Sequence, residues 1–321
     1  MGPTKERGQK TLRGRVSLSG IGVHSGLPVS ISICPADADS GIAFLRTNLP
    51  GSPDIEIPAR SGAVAATELC TVLGDPKGAS VATVEHLLAA LAGLGIDNAL
   101  IEIDGPEVPV MDGSARAFVD AIDQVGLQAQ GAPRRFIRIA KPVRVELGTA
   151  FAEFRPHDRS RLEISIDYDC AVVGRQALAI DLTPKTFRGE IAPARTYGYM
   201  RDVERLWAAG FALGSSLENS VVIGDGAVIN PDGLRYPDEF VRHKVLDTIG
   251  DLALAGMPIQ GLYRSHKSGH KLNAMALSAL LQRPDAFTLV ADHVEREPSR
   301  PEGRAELTQG LMAPAFAPEV L

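Results

Sequence analysis

Apolar and polar positions alternate in short runs early in the chain, which predicts strands over residues 13–18 and 29–34. Between them, GIGVHSG at 20–26 predicts a loop whose three glycines admit backbone shapes closed to other residues. Residues 45–80 mix short strand-like runs with a GDPKG turn at 74–78. The period then changes. Leu87, Leu88, Leu91 and Leu94 fall on one face of a helix expected over 83–94, and Gly95 is placed to end it. Thr83 or Ser80 is the expected N-cap, with Glu85 at the positive end of the helix dipole. A buried strand at 99–103, a Met111-Asp112-Gly113-Ser114 turn and a helix at 115–125 follow.

Gln, Gly and Pro interrupt the pattern at 127–134 and predict a boundary. Strands resume at 136–139, 142–147, 152–154 and 162–168. A helix at 200–209, a strand at 220–223, a helix at 241–254, a strand at 258–264 and a helix from 268–270 come next. The two stretches share a rhythm. Setting Gly95 against Gly256, an offset of 161, places Leu91 on Leu252 and His86 on Asp247. Helices that follow several strands in each half predict an α+β fold and not an alternating parallel sheet. The expected organisation is a polar tail at 1–10, one α/β half at 11–130, and a second at 134–285. Residues 286–321 carry Pro, Glu and Arg in irregular order and are expected to be weakly structured.

Composition narrows the function. Hydrophobic residues make up 45% and charged residues 22%, too apolar for a disordered chain. A net charge of −6, no basic stripe and only 5% aromatics argue against a nucleic-acid partner. No run approaches the roughly 20 apolar residues of a membrane span. The polar N-terminus lacks the apolar core of a secretory signal, so a cytoplasmic location is expected. Cys34, Cys70 and Cys170 form neither a disulfide framework nor a metal knuckle.

The densest chemistry lies in RHKVLDTIGD at 242–251, where a helix stacks His243, Asp247 and Asp251 on one face. Imidazole and carboxylate at i, i+4 are two ligands of a zinc site that needs a third from elsewhere. The same spacing also describes a solvated helix face with an ordinary His–Asp pair. Glu85 and His86 open an otherwise apolar helix and so sit at the rim of a core; capping accounts for Glu85 but leaves His86 unexplained. SHKSGHKLN at 265–273 is donor-rich and reads equally as a solvated turn.

VEHLLAALAGLGIDNALIEI, PVMDGSA, DEFVRHKVLDTIGDLAL and KSGHKLN together resemble the bacterial UDP-3-O-acyl-N-acetylglucosamine deacetylases, the zinc amidases of the committed step of lipid A (lipopolysaccharide) synthesis. GIGVHSG, ELCT, PVRVE and ARTYGYMRD extend the resemblance from about residue 10 to 285, in the family's order. It implies a duplicated two-layer α/β sandwich, each half with a small insert and the active site between them. It also implies zinc on His86, His243 and Asp247, with Glu85 as general base. His270 would protonate the leaving amine, supported by Asp251, and Thr196 and Lys244 would stabilise the oxyanion. Asp167 and Tyr168 match positions for uracil and ribose, and His24, Lys141 and Lys267 are candidates for the diphosphate. Tyr197, Tyr199, Val203, Ala212, Ser216 and Val222 are expected along an acyl passage, with Tyr197 and Tyr199 standing where the family commonly has phenylalanine. Cys70 is expected close to the metal or as a small buried residue. The apolar C-terminal end could serve a cellular protease as a handle. Two rival readings remain: another zinc amidase on a nucleotide sugar, or a non-catalytic zinc-stabilised binding protein. The absence of HExxH counts against a common zinc peptidase.

Overall fold

The alternating runs form two sheets with the same wiring in a computed structural model, which describes residues 8–49 and 51–291. In the first, β1 (Val16–Ile21), β2 (Pro28–Pro35), β3 (Ile42–Arg46), β4 (Ile55–Pro58) and β5 (Ala99–Ile103) are ordered β1-β2-β5-β3-β4. The late strand β5 is antiparallel to β2 and parallel to β3. In the second half, β6 (Val143–Leu147), β7 (Ala150–Arg155), β8 (Ser160–Asp167), β9 (Arg175–Asp181) and β10 (Ile259–His266) repeat that order. Here β10 is antiparallel to β7 and parallel to β8. The shared rhythm of the two sequence halves is therefore a shared topology, in an α+β fold.

Four helices cover the facing sides of these sheets: α1 (Glu85–Leu94), α2 (Arg116–Val125), α3 (Glu239–Ala253) and α4 (His270–Leu281). The four leucines of α1 are buried, each such side chain contributing roughly 1.5–3 kcal/mol. With Ala89, Ala90 and Gly93 also buried, α1 has no solvated face and packs against α3 from the other half. The two backbones approach so closely that a Cβ at Gly250 would collide with the Glu85 carbonyl. Gly95 ends α1 as its left-handed C-cap at φ 76°, while Gly256 takes φ 78° in the turn two residues beyond Leu254, the C-cap of α3, so the aligned glycines both turn the chain after a helix but only Gly95 is the cap itself.

Three expectations need correction. Phe287–Ala291 is a strand, paired antiparallel with Arg135–Ile139 along its whole length, and not part of a weakly structured tail. Five residues on a sheet edge carry too little periodicity to stand out among the prolines and charges around them. Residues 292–321, with the suggested protease handle, lie outside the described residues. The polar tail also ends sooner: Gln9 is buried, and Lys10–Leu12 pairs with Leu127–Ala129 inside the expected boundary. Finally, Thr83 does not cap α1. It takes φ 55°, its hydroxyl donates to Glu107 Oε1 at 2.8 Å, and Val84 stands at the N-cap without a side-chain bond.

Candidate active site

The start of α1, the middle of α3 and the start of α4 meet where the halves join. His86, His243 and Asp247 are all buried, and one ligand atom from each lies within 4.8 Å of the others, a group able to hold a metal ion. The Nε2 atoms of His86 and His243 both face Asp247 Oδ1, at 3.6 and 3.3 Å. Nδ1 of His243 lies 3.1 Å from the Ala194 carbonyl, which can only accept, so the proton sits on Nδ1 and the Nε2 lone pair faces the cluster. Burial lowers the His243 pKa to about 3 even against the pull of Asp247, which keeps it neutral. Asp247 is held well below the usual carboxylate range: burial opposes this, but the Lys244 ammonium and a long hydrogen bond from His86 outweigh it. His86 Nδ1 is buried without a hydrogen-bond partner among the described residues.

Beside this cluster, Glu85 accepts from the Thr71 amide at 3.1 Å, and its Oε1 lies 3.7 Å from His270 Nε2. Burial raises the Glu85 pKa, with His270 and His86 opposing the rise. Asp251 Oδ2 sits 2.9 Å from His270 Nδ1 and accepts from Asn273 Nδ2 at 2.8 Å, while Thr71 Oγ1 donates to Asp251 Oδ1 at 2.7 Å. Although burial pulls the His270 pKa down, Asp251 and Glu85 together raise it to about 10. Glu85 and a protonated His270 thus face each other beside a metal-capable cluster. Such a pair can accept one proton and deliver another.

The family model for UDP-3-O-acyl N-acetylglycosamine deacetylase matches residues 9–282. Curated proteins named UDP-3-O-acyl-N-acetylglucosamine deacetylase from Brucella ovis, Brucella canis and Brucella melitensis are each 53% identical over 283 residues. The match covers 88% of this chain and 98% of each relative. The chain belongs to this deacetylase family. It is accordingly a hydrolase of the deacetylase kind.

Around the metal-capable cluster, Lys244 Nζ lies 2.8 Å from Asp247 Oδ2 and 5.7 Å from the centre of the Tyr197 ring. Its pKa is raised: burial would lower it, but Asp247 prevails. Thr196 is held by its backbone, its amide on the Gly113 carbonyl at 2.8 Å and its carbonyl taking the Val221 amide at 2.8 Å. Gly113 must be glycine, since it has φ 83° and a Cβ there would collide with the Asn219 carbonyl. Tyr197–Tyr199 pairs in parallel with Val221–Ile223, which brings Tyr197, Tyr199 and Val222 into one ribbon. The Tyr197 hydroxyl, which needs a partner when buried, donates to Tyr168 Oη at 3.0 Å. Val203 opens the short helix Val203–Ala208, and Ala212 and Ser216 follow it. Asp167 pairs with Lys267 at 3.1 Å, next to Tyr168. Cys70 is buried, and its thiol is pushed up to about 12 by burial and Glu85, so it is an inert thiol beside the site.

Lys141 stands apart. It is exposed and pairs with Asp285 at 3.0 Å beside the edge strand, and no contact joins it to the other candidates among the described residues. Several supports carry no signal of their own in the sequence. Thr71 lies within ELCT and Asn273 within KSGHKLN, where local spacing announces no role for either. The buried pair Arg195–Glu239, at 2.9 Å, holds the segment that aims the Ala194 carbonyl at His243. A separate cavity of about 380 Å³ lies between the halves, bounded by Leu88, Leu91, Ile249 and Leu252, and none of the candidate site residues lines it.

Proposed function

We propose that the protein hydrolyses the N-acetyl group of UDP-3-O-acyl-N-acetylglucosamine, releasing acetate, with a zinc ion held by His86, His243 and Asp247. The spacing of the three ligand atoms carries this reading. Contacts of 3.3 and 3.6 Å are too long for good hydrogen bonds, yet they match the distance between neighbouring ligands of a tetrahedral zinc, about 3.4 Å for bonds of about 2.0–2.1 Å. When bound, zinc supplies Lewis acidity and lowers the pKa of a coordinated water to about 7.

The chain's own groups handle the protons and the charge. Glu85, beside the ligand His86, takes a proton from the attacking water. His270 enters protonated and gives its Nε2 proton to the departing amine, while Asp251 holds the opposite nitrogen. Lys244 and Thr196 donate to the oxygen on which negative charge develops; removing one such donor typically costs roughly 2.7–4 kcal/mol. Asp167 and Tyr168 receive the nucleotide end, His24 and Lys267 the diphosphate, and the Tyr197–Val222 ribbon with Val203, Ala212 and Ser216 the 3-O-acyl chain. Burying each methylene contributes roughly 0.8 kcal/mol, enough for the chain to supply much of the binding energy. No described helix is long and apolar enough to cross a membrane, and a nucleotide-sugar substrate suits a cytoplasmic enzyme of lipid A synthesis.

Metal content and acetate release from the acylated nucleotide sugar test the proposal together. Stoichiometric zinc with acetate release is expected; zinc without turnover would favour a non-catalytic binding protein, and turnover on a different nucleotide-sugar amide would favour the other amidase reading.

A further inference from the structure

Glu107 is 2% exposed and takes no part in the chemistry above. Its backbone is fixed first. The buried Arg46 at the end of β3 donates to the carbonyls of Ile103 and Gly105, just before it in the chain. On either side of Glu107, the Ala82 amide donates to the Pro106 carbonyl at 2.9 Å and the Val108 amide to the Ala82 carbonyl at 3.0 Å. With the main chain held, the carboxylate accepts three bonds. Oε1 takes the His24 amide at 2.9 Å and the Thr83 hydroxyl at 2.8 Å, and Oε2 takes the Ser25 amide at 2.8 Å. Gly22 leaves room for this, because a Cβ there would collide with Glu107 Oε2 and Ser25 Oγ.

The other side of the same loop carries the second half. The Leu213 amide donates to the His24 carbonyl at 3.1 Å, the Gly214 amide to the Val23 carbonyl at 3.0 Å, and the Ala212 amide to His24 Nδ1 at 3.4 Å. The approach is close enough that a Cβ at Gly214 would collide with the Gly22 carbonyl. Carboxylate, loop and insert therefore lie in series, from one half of the molecule to the other.

We infer that Glu107 is a positioning residue for recognition of the acyl chain: it fixes loop 22–26, and that loop seats segment 211–214 of the second-half insert. The inference rests on the reading of that insert as the acyl passage. In Glu107→Gln one acceptor oxygen becomes an NH₂ group, which cannot accept from a backbone amide, so at least one of the three bonds becomes a donor–donor contact. Gly22→Ala displaces the same carboxylate without changing its charge.

Hydrogen exchange of the Leu213 and Gly214 amides should quicken about tenfold in both variants, while the buried amides of α1 and α3 keep the wild-type rate. KM for a substrate with a long 3-O-acyl chain should rise roughly tenfold with kcat within about twofold of wild type, and KM for a short-chain analogue should rise clearly less, since that substrate feels the loosened loop through His24 alone. Unchanged exchange at residues 213 and 214 in both variants, or an equal rise in KM for the two substrates, would overturn the inference. Exchange needs no turnover, so a wild-type protein that fails to deacetylate would sink the functional proposal and leave the exchange test of Glu107 standing.

Discussion

Asp251 Oδ2 lies 2.9 Å from His270 Nδ1, and this contact decides which imidazole nitrogen faces Glu85 and the metal-capable cluster. A carboxylate there accepts the Nδ1 proton, so Nε2 is the nitrogen left to serve the reaction. Asp251 is itself fixed by Thr71 and Asn273, so the imidazole cannot turn without breaking a buried network.

The first prediction concerns pH. A group with its pKa raised to about 10 stays protonated below that pH and loses its proton above it. If His270 is the acid, the alkaline limb of kcat should fall there. Removing the Asp251 charge takes away a major upward pull on His270, so Asp251→Asn should shift that limb toward lower pH. His270→Ala and Glu85→Ala should each lose at least about 10²-fold in kcat while keeping zinc. An alkaline limb unmoved in both Asp251→Asn and His270→Ala would remove His270 from the role of acid.

The second concerns the metal. With His243 fixed in one tautomer by Ala194 and Asp247 held as a carboxylate, the cluster presents three ready ligands. His86→Ala or Asp247→Ala leaves two, too few for the three-ligand catalytic site, and both zinc content and turnover should collapse. Full zinc occupancy with wild-type activity in either variant would show that the ion binds elsewhere.

Much of this site was legible because its parts sit on strongly periodic helices. The apolar face of α1 marked His86 as an odd residue, and the i, i+4 pair on α3 marked its partners. What stayed hidden depends on contacts between distant residues. Thr71 and Asp251 are 180 positions apart, and Glu107 reaches His24 across 83, so no local spacing announces either. Thr83 looked like a cap because caps follow from local chemistry, whereas its hydroxyl is taken by Glu107. Lys141 carries the charge a diphosphate needs, but charge does not announce that the lysine ends beside Asp285, away from the other candidates.

The third prediction separates turnover from binding at Lys244. Its ammonium touches Asp247 and lies near Tyr197. Lys244→Ala should lower kcat by roughly 10²–10³-fold with little change in KM, as expected for a donor that acts on charge present only in the transition state. The lost contact to Asp247 should also weaken zinc binding, by roughly 10–100-fold, so the assay is run with saturating zinc. A defect confined to KM would reassign Lys244 to substrate binding.

The last prediction tests whether the close approach of α1 and α3 sets the catalytic geometry. Gly250 lies on α3 between Asp247 and Asp251, and an added Cβ would collide with the main-chain carbonyl of Glu85. Backbone cannot swing aside as a long side chain can, so Gly250→Ala must push the helices apart. Alanine favours a helix interior over glycine by roughly 0.8–1.0 kcal/mol, while overpacking in a core typically costs roughly 1–3 kcal/mol. The balance predicts net destabilisation of up to about 2 kcal/mol, measured by denaturant unfolding. The same displacement moves Glu85 and His86 away from Asp247 and His270, which belong to the other half. Turnover should therefore fall more steeply than stability, and zinc affinity should fall with it. A variant as stable and active as wild type would show that the two halves adjust to each other freely, and that the spacing of the cluster is not set by this glycine.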